Sequence, residues 1–184
     1  MFCCFSSTKT KDEVELYLSS YDFQNAITRG SYGEIFLQKK FTKKIIIKRV
    51  KSFMFKENEY LATKEYFNSN IKNIFKKIQF KSKIYLFMKY YPNGDLLDYL
   101  AKKKILSLEE TKKYLRQMLD CIENLNKIGY VHLDIKFDNF LLDSNMNLVL
   151  TDMGSCQPIL PNDFCIEEVS HYTGTKDYNS YELF

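Results

Sequence analysis

The sequence predicts an α+β fold in which a strand-rich lobe is followed by a helical one. From Ala26 to Val50 the chain is β-branched-rich, with Ile27, Ile35-Phe36-Leu37 and Ile45-Ile46-Ile47 set apart by glycine and lysine punctuation. After Pro92-Asn93-Gly94 the spacing of apolar residues turns helical. The 184 residues, 45% apolar and 16% aromatic, are enough for one globular domain with a sizeable core.

Taken in order, residues 1–20 read as an N-terminal extension, polar after Phe5, with a short helix over Asp12 to Leu18. Residues 21–89 form the first lobe. Its three opening strands precede an amphipathic helix over Phe55 to Asn68, which ends in the polar Asn68-Ser69-Asn70. Two more strands are expected near Ile74–Phe80 and Lys83–Met88. Residues 90–184 form the second lobe. Asp95 to Lys102 reads as a short helix and Ser107 to Lys127 as a long one. Ser107 and Glu110, three residues apart, make a capping box for the latter. Asn139–Leu142 and Leu148–Leu150 fit a hairpin.

Composition excludes several functions. Only Arg29, Arg49 and Arg116 are arginine among 27 basic residues, and the net charge is +4. Base readout leans on arginine forks, and these lysines are scattered among acids, so no specific nucleic acid is expected. Apolar runs such as Ile84 to Met88 are too short for a transmembrane segment. The N-terminus lacks the apolar core of a signal peptide, and five cysteines make no regular framework. A cytoplasmic, reducing location is expected. Cys3 and Cys4 are possible acylation sites, but Phe2 stands where myristoylation needs glycine, so membrane attachment is not expected.

The most informative stretch is His132-Leu133-Asp134-Ile135-Lys136-Phe137-Asp138-Asn139, of the form H-x-D-x-K-x-x-N, with Asp152-Met153-Gly154 following as D-x-G. Phosphoryl transfer from a nucleotide requires such a set. One carboxylate orients the attacking hydroxyl, a lysine two residues on steadies the transferred phosphate, and an amide and a second carboxylate hold magnesium. Upstream, Gly30-Ser31-Tyr32-Gly33 would let backbone N–H groups approach phosphates between two strands. Alone it reads as an ordinary hairpin turn, and Lys48 alone reads as a surface lysine.

Together these segments resemble the protein kinase family, serine/threonine branch, from about Tyr21 to Glu182. The resemblance implies a two-lobe fold with a five-stranded antiparallel N-lobe, ATP and Mg2+ as cofactors, and a protein substrate. It assigns catalysis to Asp134 and Lys136 and magnesium to Asn139 and Asp152. His132 is expected to be structural. Nucleotide binding falls to Ile27, Gly30, Gly33, Ile35, Ile46, Lys48, Glu59, Met88, Lys89, Tyr91 and Leu141, with Glu57 the other choice for the partner of Lys48. Thr175 is implied to bond Asp134 and Lys136. Asp95 has two readings, a helix cap or an acid toward ribose or substrate.

Departures from the family pattern are Thr28 for the first loop glycine, Ile46 for alanine, Thr63 for an apolar residue, Leu133 for arginine, Met153 for phenylalanine and Ser180-Tyr181-Glu182 for Ala-Pro-Glu. Only Leu183 and Phe184 follow. The helices that support the catalytic loop in that family are therefore expected to be missing, leaving the helical C-lobe incomplete. Transfer by this chain is then expected to be weak, with an apolar face of the second lobe open to a protein partner. The alternative is a pseudokinase, a module binding nucleotide or partner without transfer.

Overall fold

Thr10 opens the described part of the chain with a capping box. Its backbone N–H donates to the Glu13 carboxylate at 2.8 Å, and its hydroxyl accepts from the Glu13 N–H at 3.3 Å, starting helix α1 (Lys11–Ser19). The structure is a computed structural model, and it describes residues 10–30, 33–40, 42–64, 70–159 and 174–178. Cys3, Cys4, Ser31, Tyr32, Asn68, Ser69 and Ser180-Tyr181-Glu182 lie outside them.

Five strands follow as an antiparallel sheet: β1 (Thr28–Gly30), β2 (Gly33–Lys40), β3 (Lys43–Lys51), β4 (Ile74–Phe80) and β5 (Lys83–Lys89), in the order β1-β2-β3-β5-β4. Ile27 lies just before β1, and its N–H donates to the Ile35 carbonyl at 2.8 Å. Alternation along β3 and β5 divides their side chains between two faces. Ile47, Tyr85 and Phe87 pack with Leu18 of α1, and the rings of Tyr17 and Tyr21 lie 5.9 and 5.4 Å from Phe87. Ile46, Leu86 and Met88 pack on the other face with Ile74 and Ile84. Burial on both faces accounts for the near-continuous apolar run of β5.

Helix α2 (Glu57–Lys64) is shorter at its start than the pattern from Phe55 predicts. A 3-10 turn at Ser52–Met54 comes first, and Phe55 stays extended (φ −77°, ψ 127°) while packing on the sheet core. Thr63, expected as an anomaly in an apolar spine, is buried with its hydroxyl donating to the Tyr60 carbonyl at 2.9 Å. That bond offsets the cost of a buried hydroxyl.

In the second lobe Asp95 caps α3 (Leu96–Lys103), its carboxylate accepting from the Asp98 N–H at 2.8 Å. Helix α4 (Leu108–Lys127) opens with the Ser107/Glu110 capping box. It buries Tyr114, Cys121 and Leu125, while Leu108, Leu115 and Leu119 remain exposed. Ser107→Ala should cost about 1 kcal/mol, read as a lower urea midpoint at unchanged slope. Strand β6 (Tyr130–Val131), the hairpin β7 (Phe140–Leu142) and β8 (Leu148–Leu150), and β9 (Gln157–Pro158), which pairs with β6, complete the lobe.

The two lobes meet where Asn70–Lys72 lies against β8. The Leu150 N–H donates to the Asn70 carbonyl and the Lys72 N–H to the Leu150 carbonyl, each at 2.8 Å, and Ile71 bridges Leu150 in parallel. Ala62 of α2 and Ile71 share one core with Phe140, Leu150 and Met153. Among the described residues no helix is long and apolar enough to cross a membrane.

Candidate active site

Strand β3 places Lys48 on the same sheet face as Ile46, pointing toward α2. Its ammonium lies 2.6 Å from Glu59 Oε1 and 3.3 Å from Asp152 Oδ1. Burial opposes the charge on Lys48, but the two carboxylates outweigh it and hold its pKa above the ordinary 10.5 of lysine. Glu57 faces elsewhere, because residues two apart on a helix do not share a side. It pairs with Lys77 on the sheet, so the structure gives Lys48 to Glu59.

Asp152 follows β8 in a left-handed conformation (φ 58°, ψ 64°). Its carboxylate is 35% exposed and lines the cleft. Met153 behind it is buried in the shared core, filling a pocket with an unbranched apolar chain. Asn58 of α2 donates to the Cys156 carbonyl at 3.3 Å, which ties this segment to the helix that carries Glu59.

A second cluster forms around Asp134. Thr175 donates to Asp134 Oδ1 at 2.7 Å and accepts from Lys136 at 2.9 Å, while Lys136 Nζ lies 3.1 Å from Asp134 Oδ2. The Asn139 amide donates to the Asp134 carbonyl at 2.7 Å and to Oδ2 at 3.1 Å. Burial pushes the Asp134 carboxyl up, yet Thr175, Lys136 and Asn139 together hold it below the ordinary 3.8 of aspartate.

His132 is buried, and both its ring nitrogens are engaged by backbone. Nε2 lies 3.0 Å from the Thr151 carbonyl, and Nδ1 accepts from the Asp134 N–H at 3.2 Å. That pattern suits the neutral tautomer, and burial lowers the pKa. His132 is thus a brace for the loop. Leu133, which replaces an arginine of the family pattern, takes a left-handed conformation at φ 61°.

The lobes enclose a cleft of 340 Å³ whose wall includes Gly33, Ile35, Lys48, Glu59, Met88, Asn139, Leu141 and Asp152. Gly33 has φ 117°, and a Cβ there would come within 2.6 Å of the Arg49 carbonyl oxygen, so only glycine fits. Gly30 pairs with it in the register of β1 and β2. Ile27, Ile46, Lys89 and Tyr91 are not in this wall; Ile27 is 58% exposed and Ile46 is packed in the sheet core.

Sequence reasoning missed four wall residues, Thr28, Lys72, Asp138 and Thr151. Lys72 is the most unusual. Burial, then the neighbouring charge of Lys48, pushes its pKa down to about 8. No sequence pattern marks it, since its place depends on the pairing of Asn70–Lys72 with Leu150.

Asn139 and Asp152 suit magnesium. The amide nitrogen of Asn139 is committed to Asp134, which turns its oxygen away from that carboxylate. Asp152 supplies a part-exposed carboxylate. Both are hard oxygen donors, and magnesium is commonly held by one or two such groups together with phosphate and water.

A sheet lobe and a helical lobe closing on a cleft with a buried lysine–glutamate pair define the protein kinase fold. Residues 21–184 match the protein kinase domain family. The serine/threonine-protein kinase MRCK gamma of Mus musculus is 33% identical over 96% of this chain, and PKH2 of Saccharomyces cerevisiae is 30% identical over 97%. The 3-phosphoinositide-dependent protein kinase B of Dictyostelium discoideum is 33% identical over 77%. The chain belongs to the protein kinase family, whose members use ATP, typically with Mg2+. It spans 12%, 18% and 17% of the length of those three relatives.

Proposed function

We propose that this chain acts as a serine/threonine protein kinase, transferring the γ-phosphate of ATP to a protein hydroxyl. The observation that carries the reading is the Asp134–Lys136–Thr175 cluster, which holds an anionic carboxylate beside an ammonium at the edge of a nucleotide-sized cleft. As the substrate oxygen bonds to the γ-phosphorus, its proton passes to Asp134 and the bond to ADP breaks. Lys136 neutralises charge on the moving group. Lys48, held by Glu59, grips the phosphate chain, and Gly30 and Gly33 let the β1–β2 turn approach it. Ile35, Met88 and Leu141 of the cleft wall surround the adenine. Magnesium on Asn139 and Asp152 would neutralise phosphate charge when bound.

Mg-ATP at about a hundredfold excess over its dissociation constant should stabilise the protein by about 2.7 kcal/mol, raising the melting temperature by roughly 5–10 °C. Lys48→Met and Asp152→Asn should each reduce that shift. Radiolabel transfer to a generic serine/threonine substrate completes the test. A folded sample that shows no shift overturns nucleotide binding, and a shift without transfer leaves the chain a binding module.

A further inference from the structure

The cleft wall carries a second lysine that the reaction above does not use. The Lys72 backbone is fixed by its bond to the Leu150 carbonyl, on the strand that leads into Asp152. Its side chain lines the same wall as Lys48, Glu59, Asn139 and Asp152. The carboxylates of Glu59 and Asp152 are both drawn to Lys48, at 2.6 and 3.3 Å. Among the described residues no carboxylate comes within 4.0 Å of the Lys72 ammonium. Two ammonium groups facing one cleft repel each other in the empty protein, and a charge withdrawn from water without a partner is costly. An anion entering between them reverses both effects.

We propose that Lys72 is a second phosphate-binding lysine of this cleft, donating to the phosphate chain of the nucleotide alongside Lys48. The assignment rests on the nucleotide reading of the cleft. It makes the phosphates, more than the base, the part of the ligand that the back wall recognises. A lysine amine acting directly on phosphate does so with or without a divalent cation.

The test is calorimetric titration of the 184-residue chain with ADP and with adenosine, in Mg2+ and in EDTA, for wild type, Lys72→Met and Lys72→Arg. Lys72→Met should weaken ADP by about tenfold or more in both media, the scale of a charge-assisted hydrogen bond, and leave adenosine unchanged. Lys72→Arg should recover part of the ADP affinity. Free of ligand, Lys72→Met should melt at or above wild type, because an apolar chain of similar length replaces a half-buried charge. Equal losses for ADP and adenosine would show that Lys72 only shapes the cleft, and a loss confined to Mg2+ would show that it acts through Asp152. Either result, or no loss, overturns the assignment while nucleotide binding stands. A wild-type protein that binds neither probe overturns both.

Discussion

Asp134→Asn is expected to lower turnover by about 10²–10⁴-fold while leaving ATP affinity nearly unchanged. The carboxylate bonds neither Lys48 nor Lys72; its partners are Thr175, Lys136 and Asn139. Asparagine keeps the shape and an acceptor oxygen but cannot take a proton. Single-turnover transfer and nucleotide titration on the same samples separate the two effects. The pH behaviour gives an independent check. Because the folded pKa of Asp134 lies below its ordinary value, the native carboxylate contributes stability above about pH 4. That contribution is lost as the pH falls through the folded pKa, and Asp134→Asn should not show it. Transfer that stays at the wild-type rate would remove Asp134 from the chemistry.

The second large effect concerns Glu59. Removing one member of a buried ion pair leaves the other charge desolvated, so Glu59→Ala should destabilise by about 3–5 kcal/mol. Asp152, 3.3 Å from Lys48, keeps the loss toward the lower end. Glu57→Ala, on the exposed side of the same helix, should cost no more than about 1 kcal/mol. Urea unfolding of both variants decides the matter. Lys48→Met with Glu59→Met should recover most of the stability and none of the nucleotide affinity, because well-packed apolar residues replace a buried pair at little cost. Equal effects at Glu57 and Glu59 would contradict the burial argument.

Those residues differ in how readable they were. Asp134, Lys136, Asn139 and Asp152 stand in two short segments whose spacing is itself the signal, so the chain alone marked them as candidates. The two-lobe arrangement was equally legible, because strand and helix periods change at Pro92-Asn93-Gly94. Glu59 was harder to choose. Glu57 and Glu59 occupy the same helical turn, and only the position of β3 relative to that turn separates them.

The start of α2 was misplaced because Phe55 fits the helical period yet packs as an extended residue. The docking of α1 had a faint signal in Val14 and Leu18, four residues apart, hidden by polar neighbours; its anchor is the outer face of β5. The left-handed backbone of Leu133 had no local cue, whereas Asp152 is of a residue type that enters that region more readily. The hydrogen bond of His132 to the Thr151 carbonyl bears on that geometry, and it joins residues that the linear pattern does not relate.

The pairing of Asn70–Lys72 with Leu150 bears on how the two lobes can move. Hydrogen bonds at both the N–H and the carbonyl of Leu150, with the Cys121 thiol reaching the Asn70 carbonyl at 3.3 Å, resist sliding of one lobe along the other. They resist rotation about the segment far less. Any opening of the cleft that keeps these bonds is therefore a swing about an axle, with β3 as its lever arm. In such a swing the Lys48–Asp152 separation changes, while the Lys72 backbone stays with the strand that carries Asp152. One lysine travels with the moving lobe and the other rides near the pivot.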